Sequence, residues 1–308
     1  MQNMKKPKTF RGLYLNDTIT AYVFIAPFMI LMTIWFYYPV FSSFIISLNK
    51  VSSFNYFDRT FIGLENYINT LKDEGFRKSL ANSMIITAFC VPIQTFLALV
   101  VAACLNSIEK LKGFFRTLYY LPYITSAVAV TLVFMGIFVQ KDGIATRLFS
   151  IIGFRNVSWF ADMDYAMPFL IMLIIWTNIG FYTVIYLAGL QSISKELYEA
   201  SEVDGANFIQ RFLHITIPML KPVTFFVILT GVINALQIFE QPYALAGGDP
   251  QRMGGPGTAT TTMTIYFFRK FYVEFDAGAG CAAAIMIFVI ILAFSVVQKL
   301  ILERKERA

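Results

Sequence analysis

The chain has 308 residues, of which 57% are hydrophobic and 14% charged, and its formal net charge is +6. A soluble domain carries about 25% charged residues, and the mean hydropathy here is +0.63. These values exclude an ordinary soluble globular class and argue against nucleic-acid binding as the meaning of the positive charge.

Six windows contain no Asp, Glu, Lys or Arg: 18–49, 79–108, 117–140, 165–194, 222–239 and 277–298. Each is close to or longer than the roughly 20 residues a helix needs to cross the hydrocarbon. The composition therefore predicts an all-α integral membrane protein with six transmembrane helices. The first window exceeds the apolar core of a signal peptide and lacks a clear small-residue cleavage site, so it is expected to remain as an anchor. An even number of crossings places both termini on one side. With the termini inside, the inner segments hold 14 Lys and Arg in 62 residues and the outer segments 11 in 90. That bias predicts cytoplasmic termini.

In chain order, residues 1–78 form a basic tail, the first crossing and an outer loop. Two crossings follow, joined by the basic turn "SIEKLKGFFR". After a second outer loop and the fourth crossing comes a polar stretch at 194–218. Pro222 opens the fifth crossing. The window 253–268 reads as a Gly- and Thr-rich loop running into an amphipathic piece, and a cytoplasmic tail closes the chain at 301–308.

Several chemistries are absent. No glycine precedes a lysine, so there is no phosphate-binding loop. With only one histidine, a His-pair zinc site or a Ser-His-Asp triad inside the bilayer is hard to build. Cys90, Cys104 and Cys281 are far apart and lack metal-ligand spacing. No charge lies inside a crossing, where an ion-driven carrier usually keeps one. The chain carries no engine of its own.

The polar stretch "LYEASEVDGANFIQRFLHITIP" has local rules of its own. Ser194 can cap a helix to about Val203, with Glu196 in its first turn. Gly205 fits a left-handed C′ position. Asn207 can cap a second short helix through Phe212, ended by Pro218. Phe208, Phe212 and Ile215 are expected to pack on the membrane domain, Glu199 and Glu202 to face outwards, and His214 to be a packing or helix-end residue.

The same stretch resembles the EAA motif of permease subunits of binding-protein-dependent ABC importers, in the carbohydrate (maltose or multiple-sugar) branch. Glu199 and Ala200 match, Gly205, Ile215 and Pro218 fall in register, and Ser201 and Ile217 depart from it. "FIGLENY", "FFRTLYYLPYITSAV" and "GGP" at 254–256 are similar too, so the resemblance covers roughly 79–300 together with the first crossing. It implies a type I importer (MetI-like) fold in a bacterial or archaeal cytoplasmic (inner) membrane, with the permease core at 79–300. It further implies a coupling helix that docks on a separate ATPase through Glu199, Ala200, Ser201, Asp204 and Gly205. The partners it implies are a second homologous permease, two ATP-binding subunits that hold ATP and Mg, an extracytoplasmic sugar-binding protein and lipid. No cofactor, metal or catalytic residue is expected in this chain.

A polar solute needs hydrogen-bonding groups on one face of a crossing. Thr230, Asn234, Gln237 and Gln241 stand at i, i+4, i+7 and i+11. Uncharged amides and hydroxyls suit sugar hydroxyls, although the same groups can instead tie helices together. The resemblance supplies a second wall from Trp176, Ile179, Gly180 and Thr183. The expected function is a sugar-importing permease that works by alternating access. A glycerol-phosphate or polyol permease is the alternative, and a non-transporting scaffold or receptor that docks an ATPase is a weaker one.

Overall fold

The computed structural model describes residues 11–306 apart from 53–54, 109–110, 140–142, 152, 155–156 and 250–253. Residues 1–10 of the basic tail and 109–110 of the basic turn lie outside the described residues, and the rest of the expected tail, from Arg11, already belongs to the first helix.

The first crossing is α1 (Arg11–Met32), a π turn at Thr33–Tyr37 and α2 (Tyr38–Ser47). Pro39 cannot donate to the turn before it. The wider turn, in which the Tyr38 N–H reaches the Thr33 carbonyl, accommodates that loss without breaking the helix. A hairpin follows, β1 (Asn49–Ser52) against β2 (Asn55–Phe61), with Asn49 opposite Phe61 and Val51 opposite Arg59. This two-stranded hairpin is a small element in a mostly helical chain. Next come α3 (Glu65–Lys72) and α4 (Glu74–Ser107), the latter capped by Asp73, whose carboxylate accepts from the Gly75 N–H at 2.7 Å.

The third expected crossing, 117–140, is not one straight helix. α5 (Lys112–Ile124) and α6 (Ala127–Ile137) meet at a bend of 103°. Pro122 weakens the last turn of α5, and Thr125 and Ser126 take extended ψ angles of 150° and 127°. The described residues thus hold five helices long and apolar enough to span, or six if the bent pair counts as one.

After α7 (Ile144–Ile151), the fourth crossing is α8 (Met163–Ser192), capped by Asp162. The loop helices α9 (Lys195–Val203) and α10 (Phe208–Arg211) follow. A second π turn, Phe212–Thr216, leads into the short α11 (Ile217–Met219). Pro218 therefore does not stop the helix as expected: the π turn again absorbs the missing N–H ahead of the proline. α12 (Lys221–Leu236) begins with Pro222 in its first turn. It ends at Gln237, and a separate α13 (Glu240–Leu245) follows. α14 (Met263–Phe268) and the last crossing, α15 (Ala277–Glu306), complete the chain.

The core lies where α4, α8 and α12 meet. One cluster gathers Ile86, Cys90, Phe169, Leu170 and Leu173, and a second gathers Ala98, Ala102, Tyr182, Tyr186, Leu187 and Val227. Small residues let the backbones approach, as in other membrane bundles. Gly180 is the extreme case: a β-carbon there would stand 1.9 Å from the Tyr119 carbonyl oxygen of α5. At the end of the bundle opposite α9 and α10, the Asn82 amide donates to the Thr261 carbonyl at 2.9 Å. The Thr262 hydroxyl donates to the Ile238 carbonyl, also at 2.9 Å. These bonds fasten the Gly-rich loop to α4 and to the end of α12.

Candidate functional site

The α9–α10 loop is built by local rules. The Ser194 hydroxyl accepts from the Glu196 N–H at 3.2 Å. At the far end of α9, the Gly205 N–H donates to the Glu202 carbonyl and the Ala206 N–H to the Ser201 carbonyl, at 3.0 and 2.9 Å. This is the paired pattern of a Schellman ending, and Gly205 takes the left-handed φ of +77° it requires. Asn207 and Gln210 then form a reciprocal capping box on α10. The Arg211 guanidinium pairs with Glu202 across the turn. Tyr198 and Thr216 share a hydrogen bond at 2.9 Å, and Tyr198 and Ile215 pack against the core under α8 and α12.

The result is a braced helix pair with an outward surface. Glu199, Ala200, Glu202, Asp204 and Gly205 are exposed, and Ser201 is half-buried. Ser201, Asp204, Gly205, Gln210, Arg211 and His214 surround a shallow cavity of about 400 Å³. Phe208 does not pack on the membrane domain as expected. It is 73% exposed and stacks on Phe212 with ring centroids 6.4 Å apart, while Phe212 and Ile215 are half-buried. Asn207 sets the direction of α10, and that direction turns position 208 outward. His214 sits in the π turn with Nδ1 3.0 Å from the Gln210 carbonyl.

The eight residues expected along the solute path do not converge on one pocket within this chain. Asn234 and Gln237 are exposed on one side of α12, and Thr230 is half-buried, with its hydroxyl donating to the Phe226 carbonyl at 2.8 Å. Gln241 belongs to α13, because the helix breaks at Gln237–Phe239, so it does not extend that stripe. On α8, Trp176 and Ile179 line an apolar groove of about 870 Å³ with Ile85, Phe89, Leu118 and Tyr119. Trp176 also stacks on Phe134 at 5.3 Å. Gly180 is buried against α5, which corrects its expected place on an open wall: only glycine allows that crossing. Thr183 is buried, and its hydroxyl has no hydrogen-bond partner among the described residues.

Two residues the sequence reading passed over connect these parts. The Tyr182 hydroxyl accepts from the Asn234 amide at 3.3 Å. Gln94 of α4 is buried opposite Gly231 of α12, and its Oε1 has no partner among the described residues. The signal for Gln94 was an amide in the middle of its span, far from Asn82 and Asn106 near the two ends. Tyr182 gave no signal distinct from the other aromatics.

Comparison with known proteins agrees with this architecture. A sulfoquinovosyl glycerol transport system permease protein of Agrobacterium fabrum is 32% identical over 300 residues, covering 97% of this chain and 96% of that protein. A lactose transport system permease protein of Rhizobium radiobacter is 32% identical over 282 residues, covering 90% and 92%. The fold superposes with a TM-score of 0.80, at 20% identity, on a chain of a bacterial ABC transporter involved in the import of the acidic polysaccharide alginate, covering 96% of this chain and 99% of that one. Residues 71–307 match the family described as binding-protein-dependent transport system inner membrane component, and the chain belongs to that family of multi-pass ABC transporter permeases.

Proposed function

We propose that this chain is one permease subunit of a sugar importer. It pairs with a second homologous permease, two ATP-binding subunits and an extracytoplasmic sugar-binding protein, and both of its termini are cytoplasmic. ATP and Mg are bound and hydrolysed in the partner subunits. The surface formed by Glu199, Ala200 and the half-buried Ser201 of α9 and by Asp204 and Gly205 just after it docks on the ATPase together with the outward Phe208. The Schellman turn, the capping box and the Tyr198–Thr216 bond make that loop stiff enough to pass a displacement to α8 and α12.

The observation that carries the sugar reading is the polar side of α12. Asn234 and Gln237 stand exposed in a helix whose window 222–239 has no charge. An exposed amide in hydrocarbon is costly, so this side faces a polar path, closed on its other side by the second permease. Uncharged amides match sugar hydroxyls and give no charge partner to a phosphate. Thr230 and Tyr182 back the stripe. Trp176, Ile179 and Thr183 contribute from α8, and Gln241, in α13, stands past the break and apart from the stripe. The names of the lactose and sulfoquinovosyl glycerol relatives support the same substrate class.

The test is uptake of labelled mono- and oligosaccharides by vesicles holding the purified complex, its binding protein and internal ATP. Uptake of a sugar that requires this chain supports the reading. Uptake of glycerol phosphate in place of any sugar would overturn the substrate class and leave the permease role intact.

A further inference from the structure

We infer that α3 is an interfacial anchor, with its Leu64–Ile68–Leu71 row lying in the lipid of the leaflet at the end of the spans opposite α9 and α10. The helix is inverted relative to a soluble amphipathic helix. Its buried side chains are polar, Asn66 and Thr70, whereas Leu64, Ile68 and Leu71 are 63%, 49% and 54% exposed. Phe61, just before it, is 75% exposed.

The level of α3 is fixed by the first crossing. The Asn66 amide donates to the Ser47 and Asn49 carbonyls at 2.8 and 2.9 Å, and the Tyr67 hydroxyl meets the Ser47 hydroxyl at 2.6 Å. Ser47 is the last residue of α2, so α3 lies where that span stops. Near the start of α15, a β-carbon on Gly278 would stand 2.8 Å from the Asn66 amide nitrogen, so α3 also touches the start of the last span. One and two turns back along α2, Phe41, Phe44 and Ile45 are exposed within the apolar span. The α3 row continues that surface at its rim.

Helical geometry sorts the remaining side chains. At 3.6 residues per turn, Glu65, Asn69 and Lys72 form a second exposed row roughly 100° round from the leucine and isoleucine row. Asn66 and Thr70 point to the third side, against the protein. One row to acyl chains, one to headgroups and water, and one to the bundle is the arrangement of a helix lying in the interface. Lys72 can meet lipid phosphate. A soluble partner arriving from above would meet the polar row first, so lipid is the occupant. The inference depends on the membrane class of the chain and not on the identity of its solute.

The test uses the chain in its reconstituted complex. In a Cys104→Ser background, where the remaining Cys90 and Cys281 are buried, Ile68→Cys, Leu71→Cys and Asn69→Cys are each labelled with an NBD fluorophore in phosphatidylcholine vesicles. At positions 68 and 71 the expected result is blue-shifted emission, quenching by lipids brominated near the glycerol end of the chain, and loss of most of the iodide quenching seen at 69. Iodide quenching at 68 and 71 equal to that at 69 would overturn the inference in favour of a water-exposed row. Quenching by neither agent would overturn it in favour of a covering protein.

Discussion

The Asn234 side-chain amide donates to the Tyr182 hydroxyl at 3.3 Å, joining α12 to α8 beneath the exposed polar row. The bond holds one amide hydrogen of Asn234 and leaves the rest of the group open to the outside of the chain. If that group meets sugar hydroxyls, Asn234→Ala removes a hydrogen bond and costs about 1–3 kcal/mol of binding, or roughly 5- to 150-fold. Uptake and sugar-stimulated ATPase activity should fall while the partner permease still co-purifies. Tyr182→Phe should give a smaller loss, because the amide itself remains. Normal uptake with poor co-purification of Asn234→Ala would mean that the amide only ties subunits together.

Gly205 has no heavy atom near the place of a β-carbon, yet its φ is +77°. Gly205→Ala should therefore cost on the order of 1 kcal/mol through backbone strain alone. Gly205→Pro cannot reach this φ, and it also deletes the N–H bonded to the Glu202 carbonyl. It should uncouple ATP hydrolysis from transport while the spans remain inserted. Coupled transport by Gly205→Pro at the wild-type rate, at equal abundance, would show that the Schellman turn is dispensable.

At the other end of the bundle, burial pushes the Asp73 carboxyl up. Hydrogen bonds from Tyr266 and the Gly75 N–H, with the Lys270 charge, outweigh burial and hold it below its ordinary 3.8. A depressed carboxylate stabilises the fold fully above that ordinary value, and the contribution disappears as pH falls through the lowered one. Asp73→Asn should keep the helix cap but flatten this acid dependence, and Asp73→Ala should also lose the cap, at a cost of about 1 kcal/mol. Thermal melts across acid pH in detergent measure both effects. An unchanged acid profile for Asp73→Asn would remove Asp73 from the account.

Orientation is open to labelling. In the Cys104→Ser background, Lys195→Cys should react only with reagents that reach the cytoplasm, and Asp249→Cys should react with impermeant reagents added outside. Outside labelling at Lys195→Cys would reverse the orientation and remove the docking role of α9.

The spans were legible because hydrocarbon tolerates so few charges that their absence marks a crossing directly. The cap at Ser194, the turn at Gly205 and the start at Pro222 were legible because each follows from one residue's backbone chemistry. Three features were not. The bend between Ile124 and Ala127 is set by two extended residues that look ordinary in a charge-free window. The break at Gln237 depends on the Ile238 carbonyl being taken by Thr262 and Thr264 from a distant loop. Phe208 reads as a core residue until the capping box fixes the direction of α10. The polar face of α12 was visible as spacing, but its partner Tyr182 was not, since no sequence periodicity reveals which side of α8 meets α12.

The central claim is that α9 passes ATPase movement to a solute path in this chain, and Glu199→Lys tests it most directly. Glu199 is exposed, so its reversal should leave the fold intact while reversing the charge of the docking surface. ATP-driven sugar uptake is measured in vesicles alongside co-purification of the ATP-binding subunits. The account predicts that Glu199→Lys inserts normally and loses most uptake, with ATPase docking weakened or its hydrolysis no longer stimulated by the loaded binding protein. Uptake and stimulated hydrolysis at wild-type rates in that variant would contradict it.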